Sequence, residues 1–104
     1  MPSSKEYLDF ILDQLSTLNE IAYKPMMGEF LLYYRGKLVG GIYDDRLLVK
    51  PVKSAIDYMP QATYSLPYDG AKEMLLVDNV DDKEYLAELF NAMYADLPAP
   101  KAKK

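Results

Sequence analysis

Residues 21–51 contain the feature that most constrains the fold, a series of apolar and aromatic runs broken by two short turn signals. The first signal is Arg35-Gly36 and the second is Asp44-Asp45. Glycine adopts positive φ at no steric cost, and aspartate side chains bond the backbone of tight turns, so both pairs favour a reversal of the chain. Pro25 and Gly28 predict that the first run is interrupted and lies near a sheet edge. These patterns predict an antiparallel β-meander.

The length of the first turn decides which side chains share a face of this sheet. A two-residue turn would place Arg35 at positive φ, which is costly. We therefore predict a three-residue loop over 34–36, with Tyr33 opposite Lys37, and Tyr43 opposite Arg46 after the second turn. One face should then be wholly apolar and lie under helices: Phe30, Leu32, Tyr34, Leu38, Gly40, Ile42, Leu47 and Val49.

The opposite, mixed face of the meander is the candidate binding site. Its apolar and cationic side chains are Tyr33, Lys37, Val39, Tyr43, Arg46, Leu48 and Lys50, with Leu31 and Gly41 between them. Such a face is too apolar for an idle solvent-exposed surface. Two interpretations remain open at this point: the face binds a protein partner or a second copy of the chain, or another part of the chain covers it.

Helices are predicted on either side of the meander. Residues 4–18 have apolar residues at helical spacing behind a Ser3–Glu6 capping box, and a short helix before Pro60 follows the meander. Two further strands and a C-terminal helix behind an Asp81–Glu84 box complete the order α-β-β-β-α-β-β-α. The fold class is thus two-layer α+β, an antiparallel sheet with helices mainly on one face. We expect one domain over 1–97 and a disordered Pro/Lys tail over 98–104.

The composition excludes several kinds of chemistry. The chain of 104 residues has no histidine and no cysteine, which removes the commonest general base, thiolate nucleophiles and the usual transition-metal ligands. Asp44 and Asp45 lack the flanking oxygen ligands of a calcium loop, so we interpret them as turn residues. We expect a non-enzymatic protein that needs no metal or cofactor. Without a signal peptide or membrane-helix pattern, a cytoplasmic location is expected, with no membrane partner.

Charge is distributed unevenly along the chain. The net charge is −4, which argues against direct nucleic-acid binding. Residues 24–53 nevertheless carry six cations against three acids, whereas residues 54–100 carry two cations against nine acids. The basic meander therefore leaves open a second function, binding of a small ligand or anion.

An ordered set of motifs resembles the N-terminal domain of the TfoX family of bacterial competence regulators. The matching residues are Met26, Gly28-Glu29, Tyr33, Gly36-Lys37, Asp44-Asp45-Arg46, Lys50-Pro51 and Pro67-Tyr68-x-Gly70-Ala71-Lys72. The resemblance covers nearly the whole chain. It implies a bacterial, cytoplasmic, non-enzymatic module that acts in transcriptional regulation through protein contacts. Family members that govern competence carry a second, C-terminal domain, so we expect this chain to be a stand-alone N-terminal domain.

Overall fold

A computed structural model describes residues 4–26, 28–67 and 70–97. The predicted tail over 98–104 lies outside the described residues. Along the chain the elements are α1 (Lys5–Gln14), β1 (Ile21–Met26), β2 (Glu29–Tyr34), β3 (Lys37–Ile42), β4 (Leu47–Val49), α2 (Lys53–Tyr58), β5 (Tyr64–Ser65), β6 (Met74–Leu76) and α3 (Lys83–Tyr94).

The strands form a single antiparallel sheet in the order β1-β2-β3-β4-β6-β5. The predicted two-layer α+β class is confirmed, and the first predicted strand is divided into β1 and β2, so four strands precede α2. The interruption predicted in the first run is a hairpin between β1 and β2, in which Met26 pairs with Glu29. Gly28 has a φ of 87°. Glycine adopts this conformation without strain, which explains why the chain reverses there.

The turn between β2 and β3 has two residues, so the predicted three-residue loop is wrong. Tyr34 pairs with Lys37, and Arg35 and Gly36 adopt φ values of 53° and 82°. Such a turn matches the right-handed twist of the flanking strands. The guanidinium carbon of Arg35 lies 5.6 Å from the ring centroid of Tyr34 and 5.7 Å from that of Tyr94. The attraction between this cation and the two rings offsets the cost of positive φ at Arg35.

A β-bulge at Val39 follows this turn. Leu32 pairs with Gly40 whereas Tyr33 pairs with Leu38, so Val39 is the extra residue. Because of the shorter turn, Lys37 and Val39 lie on the side of the sheet opposite to the one predicted, and so does Leu38. The bulge then restores the expected alternation, and the rest of β3 and β4 has the predicted parity.

The second turn was predicted correctly. Asp44 and Asp45 are its two central residues, with φ values of 54° and 56°. Tyr43 N donates to Arg46 O at 2.9 Å, and Arg46 N donates to Tyr43 O at 3.0 Å. Asp45 also connects this turn to the start of α1, because its Oδ1 accepts a hydrogen bond from the backbone nitrogen of Ser4 at 2.8 Å.

The main hydrophobic core lies between the three helices and one face of the sheet, called here the helix-covered face. It contains Leu8 and Ile11 of α1 and Leu86, Leu89 and Phe90 of α3. Its strand residues include Leu32, Tyr34, Val39, Ile42, Leu47, Val49 and Leu75.

The helix caps lie one residue beyond the predicted ones. Ser4 Oγ accepts from Tyr7 N at 3.1 Å, and Asp82 Oδ1 accepts from Tyr85 N at 3.1 Å. Ser4 and Asp82 are the residues with extended backbone just before the first helical turn, as a cap requires.

Candidate functional site

The seven residues of the predicted binding face do not form one exposed surface. Lys37 lies on the helix-covered face, where its Nζ donates to Tyr94 O at 3.0 Å and lies 4.2 Å from the Tyr94 ring centroid. Val39 belongs to the main core. Leu48 has no exposed surface and Tyr43 only 5%. The predicted face is therefore not continuous, because the two-residue turn places Lys37 and Val39 on the helix-covered face. The burial of Tyr43 and Leu48 favours the alternative in which another part of the chain covers the rest.

Arg46 binds Ser65 and Leu66, which lie just before Pro67 in the chain. Its guanidinium donates to Tyr43 O at 3.1 Å, to Ser65 Oγ, and to Leu66 O at 3.1 Å. Arginine has donors in a fixed planar fork, so one side chain can bind the start of β4 to β5 and to the residue that follows it. Pro67, which follows Leu66, lies with Tyr43 in the lining of one cleft on the second face of the sheet, the face opposite the helices.

Tyr43 is buried partly against its own strand. A Cβ on Gly41 would lie 2.9 Å from Cε2 of the Tyr43 ring, so the ring rests on the glycine backbone. The neighbouring Pro67 is buried as well. Tyr43 and Pro67 both line an open cleft beside β3.

This cleft, called here the groove, has a volume of about 600 Å³. It is formed by residues of β3 and the stretch 50–52 after β4, together with Pro67 and residues 71–74. The residues that line it are Leu38, Gly40, Tyr43, Lys50, Pro51, Val52, Pro67, Ala71, Lys72, Glu73 and Met74. Most of these side chains are apolar, and the charged groups are Lys50, Lys72 and Glu73.

The groove unites two segments that are separate in the sequence. Tyr43 and Lys50 are the two members of the predicted site that line it, whereas Pro67 and residues 71–74 were not predicted to take part. The sequence did mark these residues, because Lys50-Pro51 and Pro67…Ala71-Lys72 are both among the motifs that carry the resemblance to the TfoX family. The structure brings residues of both motifs into the lining of one cleft.

Most cations of the basic meander are already bound by the protein itself. Arg35 stacks on two tyrosines, Lys37 and Arg46 donate to other elements, and Lys53 Nζ pairs with Asp57 at 3.0 Å. The six cations thus do not converge on one anion site. In the described part of the chain, the ammonium groups of Lys50 and Lys72 have no hydrogen-bond or ion-pair partner, and both line the groove. An acidic group that enters the groove would meet them.

The geometry defines an α+β domain with an apolar, cation-bearing groove on the second face of its sheet. Over 105 residues the chain is 31% identical to an uncharacterized 12.7 kDa protein from the trpE 5′ region of Spirochaeta aurantia. The alignment covers all of this chain and 91% of that relative. The chain therefore belongs to the family of this spirochaete protein. No family model matches the chain, and no solved structure matches it.

Two properties of the described residues bear on the kind of site. Over 4–26, 28–67 and 70–97, no helix has the length and apolar character needed to cross a membrane. The same residues include no group of three or more His, Cys, Asp or Glu side chains arranged to hold a metal ion.

Proposed function

We propose that this protein is a non-enzymatic, cytoplasmic binding module whose groove takes a small organic anion with an apolar body. The observation that carries the proposal is the position of Lys50 and Lys72 beside apolar walls, with no partner for either ammonium among the described residues. Apolar walls supply binding energy through buried area, and a few charged groups fix the orientation of the ligand.

The size and charge of the groove agree with this ligand class. Its volume of about 600 Å³ lies well inside the range that is common for small-molecule pockets. The protein as a whole carries a net charge of −4, so its overall field does not attract anions. Local cations are therefore the feature that would make the groove selective for an acid over a neutral molecule of the same shape.

The experiment compares hexanoate with hexanol, which have the same apolar chain and differ in the acidic head. We expect hexanoate to raise the melting temperature of the protein in a saturable way, because a ligand that binds the native state stabilises it. Hexanol should have a smaller effect. The double variant Lys50→Gln/Lys72→Gln should bind hexanoate about tenfold more weakly, since two partly exposed ion pairs contribute ~0.7 kcal/mol each.

Lys24→Gln is the matched control. Lys24 is an exposed lysine of β1 outside the groove, so its loss should leave hexanoate affinity nearly unchanged. Equal affinity for hexanoate and hexanol would contradict the role of the two lysines. Equal weakening by the control and the double variant would show general attraction of anions, not a site.

A second candidate function is the regulatory protein-interaction module that the TfoX resemblance implies. It is supported by Leu31, Tyr33 and Leu38, which are partly exposed on the second face; Tyr33 is paired directly with Leu38. Leu38 also lines the groove, so Leu31 and Tyr33 continue its apolar surface along β2, where a protein partner or a second copy of the chain could bind. Sedimentation over a concentration series tests self-association, and Tyr33→Ala should shift the protein towards monomer. A wild-type protein that is monomeric throughout would rule out the second copy.

A further inference from the structure

A second cavity, of about 350 Å³, lies at the end of α2 and the start of α3 and shares no residue with the groove. Its wall includes the side chains of Tyr58, Met59, Gln61, Asp78 and Tyr85. Where the groove has two lysines, this cavity has no cation among its described lining residues. The two cavities therefore present opposite charge and call for different ligands.

Two aromatic rings stand together in this wall. The ring centroids of Tyr58 and Tyr85 are 5.1 Å apart, and the ring planes are inclined at 45°. The Tyr58 hydroxyl donates to Glu88 Oε1 at 2.9 Å and is 3.3 Å from its second acceptor, Tyr85 O. These bonds fix the Tyr58 ring against α3, so the pair is organised before any ligand arrives.

Carboxylates surround the pair and act on both rings. Burial, the hydrogen bond to Glu88 and the charges of Glu88 and Asp82 together raise the pKa of Tyr58 to about 12. Burial, and then the negative charge of Asp78, raise the pKa of Tyr85 above its ordinary value. The part of these shifts that comes from the charges of Glu88, Asp82 and Asp78 also favours a cation beside the rings, whereas the part that comes from burial does not.

The neighbouring lysines do not neutralise the negative charge around the Tyr58 and Tyr85 rings. Lys53 Nζ lies 3.0 Å from Asp57 Oδ2, and Lys83 Nζ lies 3.9 Å from Asp13 Oδ2. Asp78, in contrast, has no cationic partner within the described residues. A cation that enters the cavity would find a carboxylate and two ring faces that no lysine or arginine of the described chain already engages.

We propose that this cavity binds an organic cation with a methylated ammonium head group, held by the Tyr58 and Tyr85 rings and the charge of Asp78. Aromatic faces attract such cations through the ring quadrupole. A bare metal ion fits less well, because the described residues offer no group of three carboxylates at the spacing that metal ions need. The proposal is independent of the anion-binding function of the groove.

The test uses choline and its uncharged isostere dimethylbutanol, in which a carbon replaces the quaternary nitrogen. Each is titrated into the full-length protein at constant ionic strength, and backbone amide chemical shifts are followed by nuclear magnetic resonance. Choline should shift the amides of Tyr58, Ala62 and Tyr85 along a saturating curve, whereas dimethylbutanol should bind at least about threefold more weakly. Equal binding of the two molecules, or no saturable shift with choline, would overturn the proposal.

A pair of charge variants separates a site from general attraction of cations to an acidic surface. Asp78→Asn removes the carboxylate that lines the cavity, and Asp81→Asn removes an exposed carboxylate nearby that does not. Both side chains are exposed, so neither change should unfold the domain. We expect Asp78→Asn to weaken choline binding about threefold or more and Asp81→Asn to weaken it less than about twofold. The same weakening in both variants would contradict a specific site.

Discussion

At the scale of single residues, Gly40 illustrates how closely β3 and β4 approach each other. A Cβ at this position would overlap Leu48 O and lie 2.7 Å from Val49 Cα. Both atoms belong to the backbone of β4, so neither can rotate away as a side chain would. We predict that Gly40→Ala destabilises the protein by about 3 kcal/mol or more, at the upper end of the cost of overpacking. Urea unfolding followed by circular dichroism measures the change.

Gly70 provides the comparison for this substitution. It has a φ of 85°, and none of the described atoms lies within 4 Å of the position that an added methyl group would take. Alanine there meets backbone strain but no clash. Gly70→Ala should cost about 1–2 kcal/mol, the penalty of left-handed backbone for an L-residue. If the two variants lose the same stability, the close contact between β3 and β4 is not what requires glycine at position 40.

At the scale of elements, strand positions could be predicted from local patterns but the register of β3 could not. Runs of apolar residues and the Asp44-Asp45 pair correctly located the second turn and the inward residues of β4. The turn at Arg35 depends on the Tyr94 ring, which comes from α3 far along the chain. Sequence rules for tight turns consider only neighbouring residues and cannot include the contact between Arg35 and Tyr94. The predicted turn was therefore one residue too long, and Lys37 and Val39 were assigned to the wrong face.

The prediction at this scale concerns Arg46, which joins the start of β4 to β5 and to Leu66 by two hydrogen bonds and donates a third to Tyr43 O in the adjacent turn. Arg46→Lys retains the positive charge but loses the planar fork, so its single nitrogen cannot reproduce all three contacts. We expect the free energy of unfolding to fall by about 1–2 kcal/mol. This expectation replaces the binding role predicted for Arg46 from sequence, and the urea midpoint tests it.

Arg35→Lys is the matched control, since Arg35 also lies in a turn but acts through its charge over two rings. A lysine can supply that charge, so the loss should be below about 1 kcal/mol. Arg46→Lys with an unchanged midpoint would show that the segment after β5 is held in place by other contacts.

At the scale of the whole molecule, the fold class could be predicted because the elements alternate along the chain with clear periodicity. The groove could not, because its lining combines residues from 38–52 with Pro67 and residues 71–74, which are distant in the sequence. The sequence marks both segments, with Lys50-Pro51 in one and Ala71-Lys72 in the other. Local patterns do not predict that the two segments are adjacent. They are adjacent because β4 pairs with β6 in the antiparallel sheet.

The whole molecule also responds to alkaline pH, through tyrosines whose neutral form is favoured in the folded state. The pKa of Tyr58 is raised to about 12, first by burial and then by Glu88, and burial raises the pKa values of Tyr7 and Tyr85 as well. In the unfolded chain a tyrosine loses its proton near its ordinary pKa of about 10. Above that pH the folded state binds more protons than the unfolded state, and stability falls as pH rises.

The stabilising effect should thus be complete below about pH 10 and should be lost as the pH rises towards about 12. We predict that the urea midpoint of the wild-type protein declines from about pH 9 to about pH 11, and that Tyr58→Phe makes this decline shallower. The variant should also be less stable by about 1 kcal/mol near neutral pH, because it loses the hydrogen bond from the Tyr58 hydroxyl to Glu88.

Tyr64→Phe is the control, since the Tyr64 side chain is 46% exposed, and it should keep the wild-type slope. An identical pH dependence in Tyr58→Phe and the wild type would mean that alkaline unfolding begins elsewhere in the domain.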